Sequence, residues 1–304
     1  MINLNIHNET SRLKKVIFGL PNDFGGTPNL EDCYDPKSKY FVSNGLFPSQ
    51  ESIMKEMNSV LKIFEKYDVQ VFQPTNIKGL NQIFSRDIGF VIGNLFFLPN
   101  ILEDRSKEQE AIKYVLDQIS EDHLVYMPKN TNVEGGDVMV HNDFVFIGYS
   151  NEEDFKKYTV ARTNKLAVDF IRSKVVGKKI IGFELNKSDS DPFSNALHLD
   201  CCFQPFGSKF AIMYEQGFKY QKDVDFLNHL FGEENIIRIS QQEMYEMNSN
   251  IFSISDNVVI SEERFSSLNN KLKDRGITVE LVPYFEISKM EGLLRCSTLP
   301  LQRI

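Results

Sequence analysis

A single pattern recurs five times along this 304-residue chain, and it restricts the fold more than any residue count does. An amphipathic helical stretch is followed by a short apolar or alternating strand, with Gly, Asp or Lys nearby. The instances are "SIMKEMNSVLKIFEKYDVQVFQP", "KEQEAIKYVLDQISEDHLVYMP", "TNKLAVDFIRSKVVGKKIIGFE", "DVDFLNHLFGEENIIRIS" and "EERFSSLNNKLKDRGITVELVP". In the first, Met54, Met57, Leu61 and Phe64 share a helical face, and Val69 and Val71 then alternate. In the last, Gly276 stands where a left-handed cap would end the helix.

Paired strands separate these units. "DIGFVIGNLFFLP" is expected to turn at Gly93-Asn94, "DVMVHNDFVFIGY" at His141-Asn142-Asp143, "HLDCCFQPFGSKFAIMY" near Gly207, and "NIFSISDNVVIS" at Asp256-Asn257. Four internal hairpins thus serve five helix–strand units, so the two chain ends are predicted to supply the fifth. "LRCSTLPLQR" near the C terminus would pair with "LKKVIFGLP" near the start. Such pairing orders the terminus and removes an exposed edge. Repeats of roughly 50 residues imply a propeller-like or stacked array. No Pro/Gly/Ser-rich linker or low-complexity tract interrupts the pattern, so residues 1–304 are expected to form one α/β domain.

A net charge of −8 and a pI near 5.3 argue against nucleic-acid binding, which needs clustered Lys and Arg. The same balance is compatible with a cationic small substrate. The longest apolar stretch, "IGFVIGNLFFLPNIL", is interrupted by Gly93, Asn94, Pro99 and Asn100. It is also shorter than the roughly 20 residues of a membrane helix, so no membrane partner is expected. "MINLNIHNETSRLKK" lacks export-signal architecture. Cys33, Cys201, Cys202 and Cys296 form no CxxC pair or disulfide framework, so free thiols in the cytoplasm are expected. The oligomeric state is left open. Cys33 falls in a long early loop, "LEDCYDPKSKYFVSNG", of the kind that can cover a site.

Polar residues stand at or just before the start of each hairpin: Arg86-Asp87, Glu134 to Asp137, His198-Asp200, Asn248 to Asn250, and Cys296. In a cyclic repeat, equivalent positions lie at one end of the ring, where side chains distant in sequence can converge. In "ALHLDCCF", strand alternation would put His198, Asp200 and Cys202 on one face. A His and an Asp side by side, met by a Cys from another unit, make a nucleophile–base–carboxylate set. Each piece alone has a plainer explanation. Cys296 could be core filler and His198 a hydrogen-bonded buried histidine. "EGGD" could be a turn in which Asp137 accepts from backbone amides and the glycines take positive φ. A metal is not expected, because alternating faces split the His, Asp and Cys side chains and zinc-site spacing is absent. Recurrence at matched positions favours the catalytic set.

"FSRD", "VEGGD", "HLD" and "EGLLRCSTLPL", in that order over almost the whole chain, resemble the guanidine-modifying pentein superfamily. That group comprises arginine deiminases, dimethylarginine dimethylaminohydrolases and amidinotransferases on a five-bladed pseudo-symmetric ββαβ propeller. The resemblance implies Cys296 as nucleophile, His198 as general acid/base and Glu134 as the carboxylate supporting histidine or substrate. Asp87 and Asp200 would hold the guanidinium, and neither a metal nor an organic cofactor is implied. A guanidinium is planar, permanently charged and rich in N–H donors, which suits recognition by carboxylates.

"KMEGLLRC", "ARTNKLA" and the total length look most like the dimethylaminohydrolases. That likeness implies Arg162 on the substrate carboxylate and Arg105 as a second arginine there. "FSRD" and "HLD" look instead like the deiminases, although Glu291 stands where deiminases tend to have an arginine. A second carboxylate at Asp200 would bind both ω-nitrogens and be left poorly satisfied by methyl groups. The expectation is therefore a cysteine-dependent hydrolase of arginine or a close derivative, releasing ammonia and a ureido product. Dimethylarginine hydrolysis, amidino transfer to an amine and a non-catalytic pentein that binds partners are the alternatives. The amidinotransferases usually lack the paired glycines of "EGGD".

Overall fold

The computed structural model describes residues 1–304 and consists of five three-stranded sheets of one connectivity. Strands β1 (Leu13–Phe18) and β2 (Gln70–Phe72) are followed by β3 (Phe90–Ile92), β4 (Leu95–Leu98) and β5 (Leu124–Tyr126). The third sheet holds β6 (Val138–His141), β7 (Phe144–Tyr149) and β8 (Lys179–Glu184). The fourth holds β9 (Phe203–Phe206), β10 (Phe210–Met213) and β11 (Ile236–Arg238). The fifth holds β12 (Phe252–Ser255), β13 (Val258–Glu262) and β14 (Thr278–Val282), and β15 (Thr298–Arg303) ends the chain.

In each sheet the central strand pairs antiparallel with a hairpin partner and parallel with the strand after its helix. Parallel neighbours require a crossover, and the amphipathic helices supply it. The first sheet is completed from the far end of the chain, where β15 pairs antiparallel with β1 and matches Phe18 to Thr298. This is the five-bladed ββαβ propeller of the penteins. The helix Gln50–Lys66 turns Ile53, Met57, Val60 and Phe64 inward, a face rotated slightly from the expected one, which leaves Met54 and Leu61 half-buried. Gly276 takes φ +78° beyond the helix Ser266–Lys273, as the cap requires. No helix is long and apolar enough to cross a membrane.

One expectation fails locally. Leu199–Cys201 is a turn of 3₁₀ helix with His198 as its N-cap, and the strand begins only at Phe203. Alternation therefore does not govern "HLDCC". Asp137 supplies the local cause, because its carboxylate accepts from the Leu199 N–H at 2.9 Å and bends the chain there. Both Cys201 and Cys202 are buried thiols, and Cys202 packs against Gly217.

Candidate active site

The polar segments ahead of the hairpins converge. Asp87 precedes β3, Glu134 caps a 3₁₀ turn (Gly135–Asp137) ahead of β6, His198 precedes β9, Asn250 precedes β12 and Cys296 precedes β15. Asp87, Glu134, His198 and Cys296 line a cavity of about 380 Å³. That volume accommodates a small metabolite. The early loop forms another wall, with Phe24, Cys33, Tyr34 and Phe47 facing the same space.

The glycines of "EGGD" are required by close approach. Neither takes positive φ, contrary to expectation. A Cβ on Gly135 would lie 2.0 Å from the Arg86 carbonyl oxygen, and one on Gly136 would lie 2.6 Å from His198 Nδ1. The turn is thus wedged between the "FSRD" segment and the histidine ring. Asp137 fixes it as expected of a turn aspartate, accepting from the Leu199 N–H and from Thr163 Oγ1 at 2.6 Å.

His198 and Glu134 form a buried pair, with Nε2 2.8 Å from Oε2. Burial alone would raise the Glu134 pKa, but Arg162, His198 and Arg105 hold it well below its ordinary 4.5. Burial would neutralise His198, yet Asp87, the Glu134 hydrogen bond and Asp137 push it up to about 9. The pair is therefore imidazolium and carboxylate at neutral pH. Asp87 lies on the other side of the ring, its Oδ1 3.8 Å from Nδ1 and accepting from the Gly136 N–H at 3.3 Å. Asp87, Glu134 and His198 also present three ligand-type atoms within 4.8 Å of one another. Arg105 and His198 already engage these carboxylates, so no metal is needed to neutralise them.

Cys296 is 4% exposed, and its thiol is raised well above the ordinary value by burial and by the charges of Asp200 and Asp87. Its Sγ accepts from Asn250 Nδ2 at 3.3 Å and lies 3.9 Å from Asp200 Oδ2. The Asn250 carboxamide oxygen also accepts from the Arg295 and Cys296 N–H groups, clamping the loop that carries the sulfur.

Asp200 does not line the cavity. It is fully buried behind the sulfur, and Arg295 Nη1 donates to its Oδ2 at 3.0 Å. Arg295, also fully buried, further donates to Glu9 and to the carbonyls of Gly136 and Val138. The two arginines reach the cavity but are engaged with acids. Arg105 donates to both oxygens of Glu108 at 2.8 and 3.0 Å, to Asp87 Oδ2 at 3.0 Å and to the Phe84 carbonyl. Arg162 donates to Glu134 Oε1 at 3.4 Å and to the Thr159 carbonyl at 3.0 Å, leaving its Nη2 uncommitted.

Sequence reasoning gave no role to Arg295, Glu108 or Asp35. It marked Asn250 only by position and Glu291 only as a mismatch. For Arg295 a signal existed, its adjacency to Cys296; for Asp35 none did, because its loop has no period.

This fold and cavity define a member of the guanidine-modifying pentein superfamily. Within it, the chain belongs to the family described as N,N dimethylarginine dimethylhydrolase, eukaryotic, which matches residues 47–303. The chain is 26% identical over 297 residues to the uncharacterized protein YkgA of Bacillus subtilis, covering 97% of this chain and 94% of that one. It is 26% identical over 262 residues to an arginine deiminase of Streptococcus gordonii, covering 73% of this chain and 61% of that enzyme. Among solved structures, the amidinotransferase SxtG of Microseira wollei superposes with a TM-score of 0.77 at 16% identity, covering 99% and 97% of the two chains. The relatives are arginine-modifying enzymes, and the fold is shared across hydrolases and transferases.

Proposed function

We propose that residues 1–304 act as one cysteine-dependent catalytic unit that hydrolyses the guanidine group of arginine or a close derivative. The observation that carries this is the convergence of Cys296, the His198–Glu134 pair and Asp87 on one cavity. The thiol of the free protein is neutral, because burial and two nearby carboxylates oppose a thiolate. A guanidinium drawn in by Asp87 changes that balance. One positive charge about 4 Å from the sulfur is worth about 4 kcal/mol at an effective dielectric of about 20, or about three pKa units. The thiol proton leaves to solvent as the cation arrives, so the nucleophile forms only where its target is present.

The thiolate then bonds to the guanidinium carbon and forms a tetrahedral adduct. His198 gives its proton to the departing nitrogen, the C–N bond breaks, and ammonia leaves a thiouronium on Cys296. Neutral His198 next takes a proton from water as the hydroxide adds to that carbon. Collapse breaks the C–S bond and returns the thiolate, and the product hydroxyl loses its proton to solvent to give the ureido group. Glu134 holds the imidazole in line and stabilises its charged form throughout.

Release of a methylated amine is the second reading. It is favoured by the engagement of Asp200 with Arg295, which leaves Asp87 and Glu134 as the carboxylates near the sulfur on the cavity side. Amidino transfer shares the first half-reaction and differs in the second nucleophile. The test is a ureido-product assay on arginine and dimethylarginine in parallel, with the released amine identified and Cys296→Ala as control. Ammonia from arginine, abolished in the variant, is expected. Dimethylamine would establish the second reading, and product from Cys296→Ala would contradict both.

A further inference from the structure

We propose that Asp35 and Glu291 form a subsite for an ammonium group carried on the part of the substrate remote from the guanidine. The proposal rests on the guanidine-hydrolase reading and specifies the class of guanidine it takes. Both residues line the cavity that holds Cys296 and His198. Asp35 comes from the early loop, is 8% exposed, and caps the helix Pro36–Ser43 by accepting from the Ser38 N–H. Glu291 lies five residues before Cys296 and is held at φ +57°, a left-handed conformation unfavourable for a residue with a side chain. Its Oε2 is buried with no hydrogen-bond partner.

The two carboxyls also hydrogen-bond to each other, which requires a proton between them. Burial and Asp35 push the Glu291 pKa up to about 8, opposed by Lys37 and His198. Lys37 does not quench the pair by direct contact, because its ammonium donates to the Tyr245 carbonyl. The remaining groups under the influence of Glu291, Cys201 and Tyr245, carry no positive charge. An unpartnered oxygen in a strained backbone setting, sharing a proton with a second buried acid, lacks a cation. A substrate ammonium would displace that proton and satisfy both carboxylates.

The rest of the cavity narrows the ligand. Arg105 is saturated by Glu108, Asp87 and Phe84, so a tail carboxylate finds only the free edge of Arg162. Arg162 is close enough to Asp35 for its charge to act on that carboxyl. A tail bearing an ammonium, with or without a neighbouring carboxylate, therefore matches this wall, and a tail bearing a carboxylate alone does not.

Calorimetric binding to the Cys296→Ala protein, which cannot turn substrate over, tests this with arginine, 4-aminobutylguanidine and 4-guanidinobutyrate. The first two should bind at least about tenfold more tightly than the third. Adding Glu291→Gln should weaken arginine and 4-aminobutylguanidine by about tenfold and leave 4-guanidinobutyrate unchanged. Asp35→Asn, which keeps the helix cap, should do the same, with unfolding midpoints confirming that each variant is folded. Equal binding of all three ligands, or equal weakening of all three by Glu291→Gln, would overturn the subsite and leave the hydrolase reading standing. Binding of none of them would overturn the guanidine reading and the subsite with it.

Discussion

The chemistry of this chain depends on two groups held in opposite charge states from those their burial alone would favour. Glu134 is ionised although buried, because Arg162, His198 and Arg105 surround it, and His198 is protonated for the matching reason. The linkage to stability has a definite sign. A histidine raised from 6.5 to about 9 contributes stability that is fully present below pH 6.5 and lost as pH rises through 9. Glu291, raised from 4.5 to about 8, loses its contribution in the same direction, between pH 4.5 and 8. The thermal unfolding midpoint should therefore fall between pH 6.5 and 9.5, and His198→Gln should flatten the upper part of that fall. Differential scanning fluorimetry across this range measures it; a midpoint that rises with pH would refute the ion-pair assignment.

At the scale of the element, the turns before the hairpins do what the strands cannot. The "EGGD" turn fits between the Arg86 carbonyl and the His198 ring only because positions 135 and 136 have no Cβ. Gly136→Ala should push the imidazole off Glu134 and lower kcat by about 10²-fold, the lower end of what general acid–base catalysis contributes, while the apolar core stays folded. Steady-state kinetics with a circular dichroism control checks this; an unchanged kcat would show that the ring has room to move. The turn lengths also explain where sequence reading fell short. Period-two alternation made "HLDCC" a strand, whereas the Asp137 carboxylate holds Leu199 in a 3₁₀ turn from more than sixty residues away. Such long-range side-chain to backbone bonds leave no local periodicity to read. Hairpin turns such as Gly93-Asn94 and Asp256-Asn257 were legible because their determinants are local.

At the scale of the whole molecule, the recurrence of hairpin, helix and strand foretold the ring, and the missing fifth hairpin foretold that the chain ends must meet. They do, through β1 and β15, and the cysteine enters the cavity on the loop leading into that closing strand. The positions of Cys296, His198, Glu134 and Asp87 were legible from the register of the repeat. The burial of Asp200 was not, because it is fixed by Arg295, whose other partners Glu9, Gly136 and Val138 lie far away in sequence. The same buried arginine ties the N-terminal segment to the third and fourth sheets, so the nucleophile loop is anchored across the ring. Removing one partner from such a network leaves an uncompensated charge, at a cost of about 3–5 kcal/mol.

The most direct test is covalent labelling of the native protein at pH 7 with 2-chloroacetamidine, a cationic haloacetamidine, and with neutral iodoacetamide, mapped by peptide mass spectrometry. A thiol that ionises only beside a bound guanidinium-like cation should make Cys296 react with the cationic reagent and resist the neutral one, and arginine should protect it. Labelling by iodoacetamide at an equal or faster rate, or labelling elsewhere with Cys296 untouched, would contradict a substrate-activated nucleophile at this position.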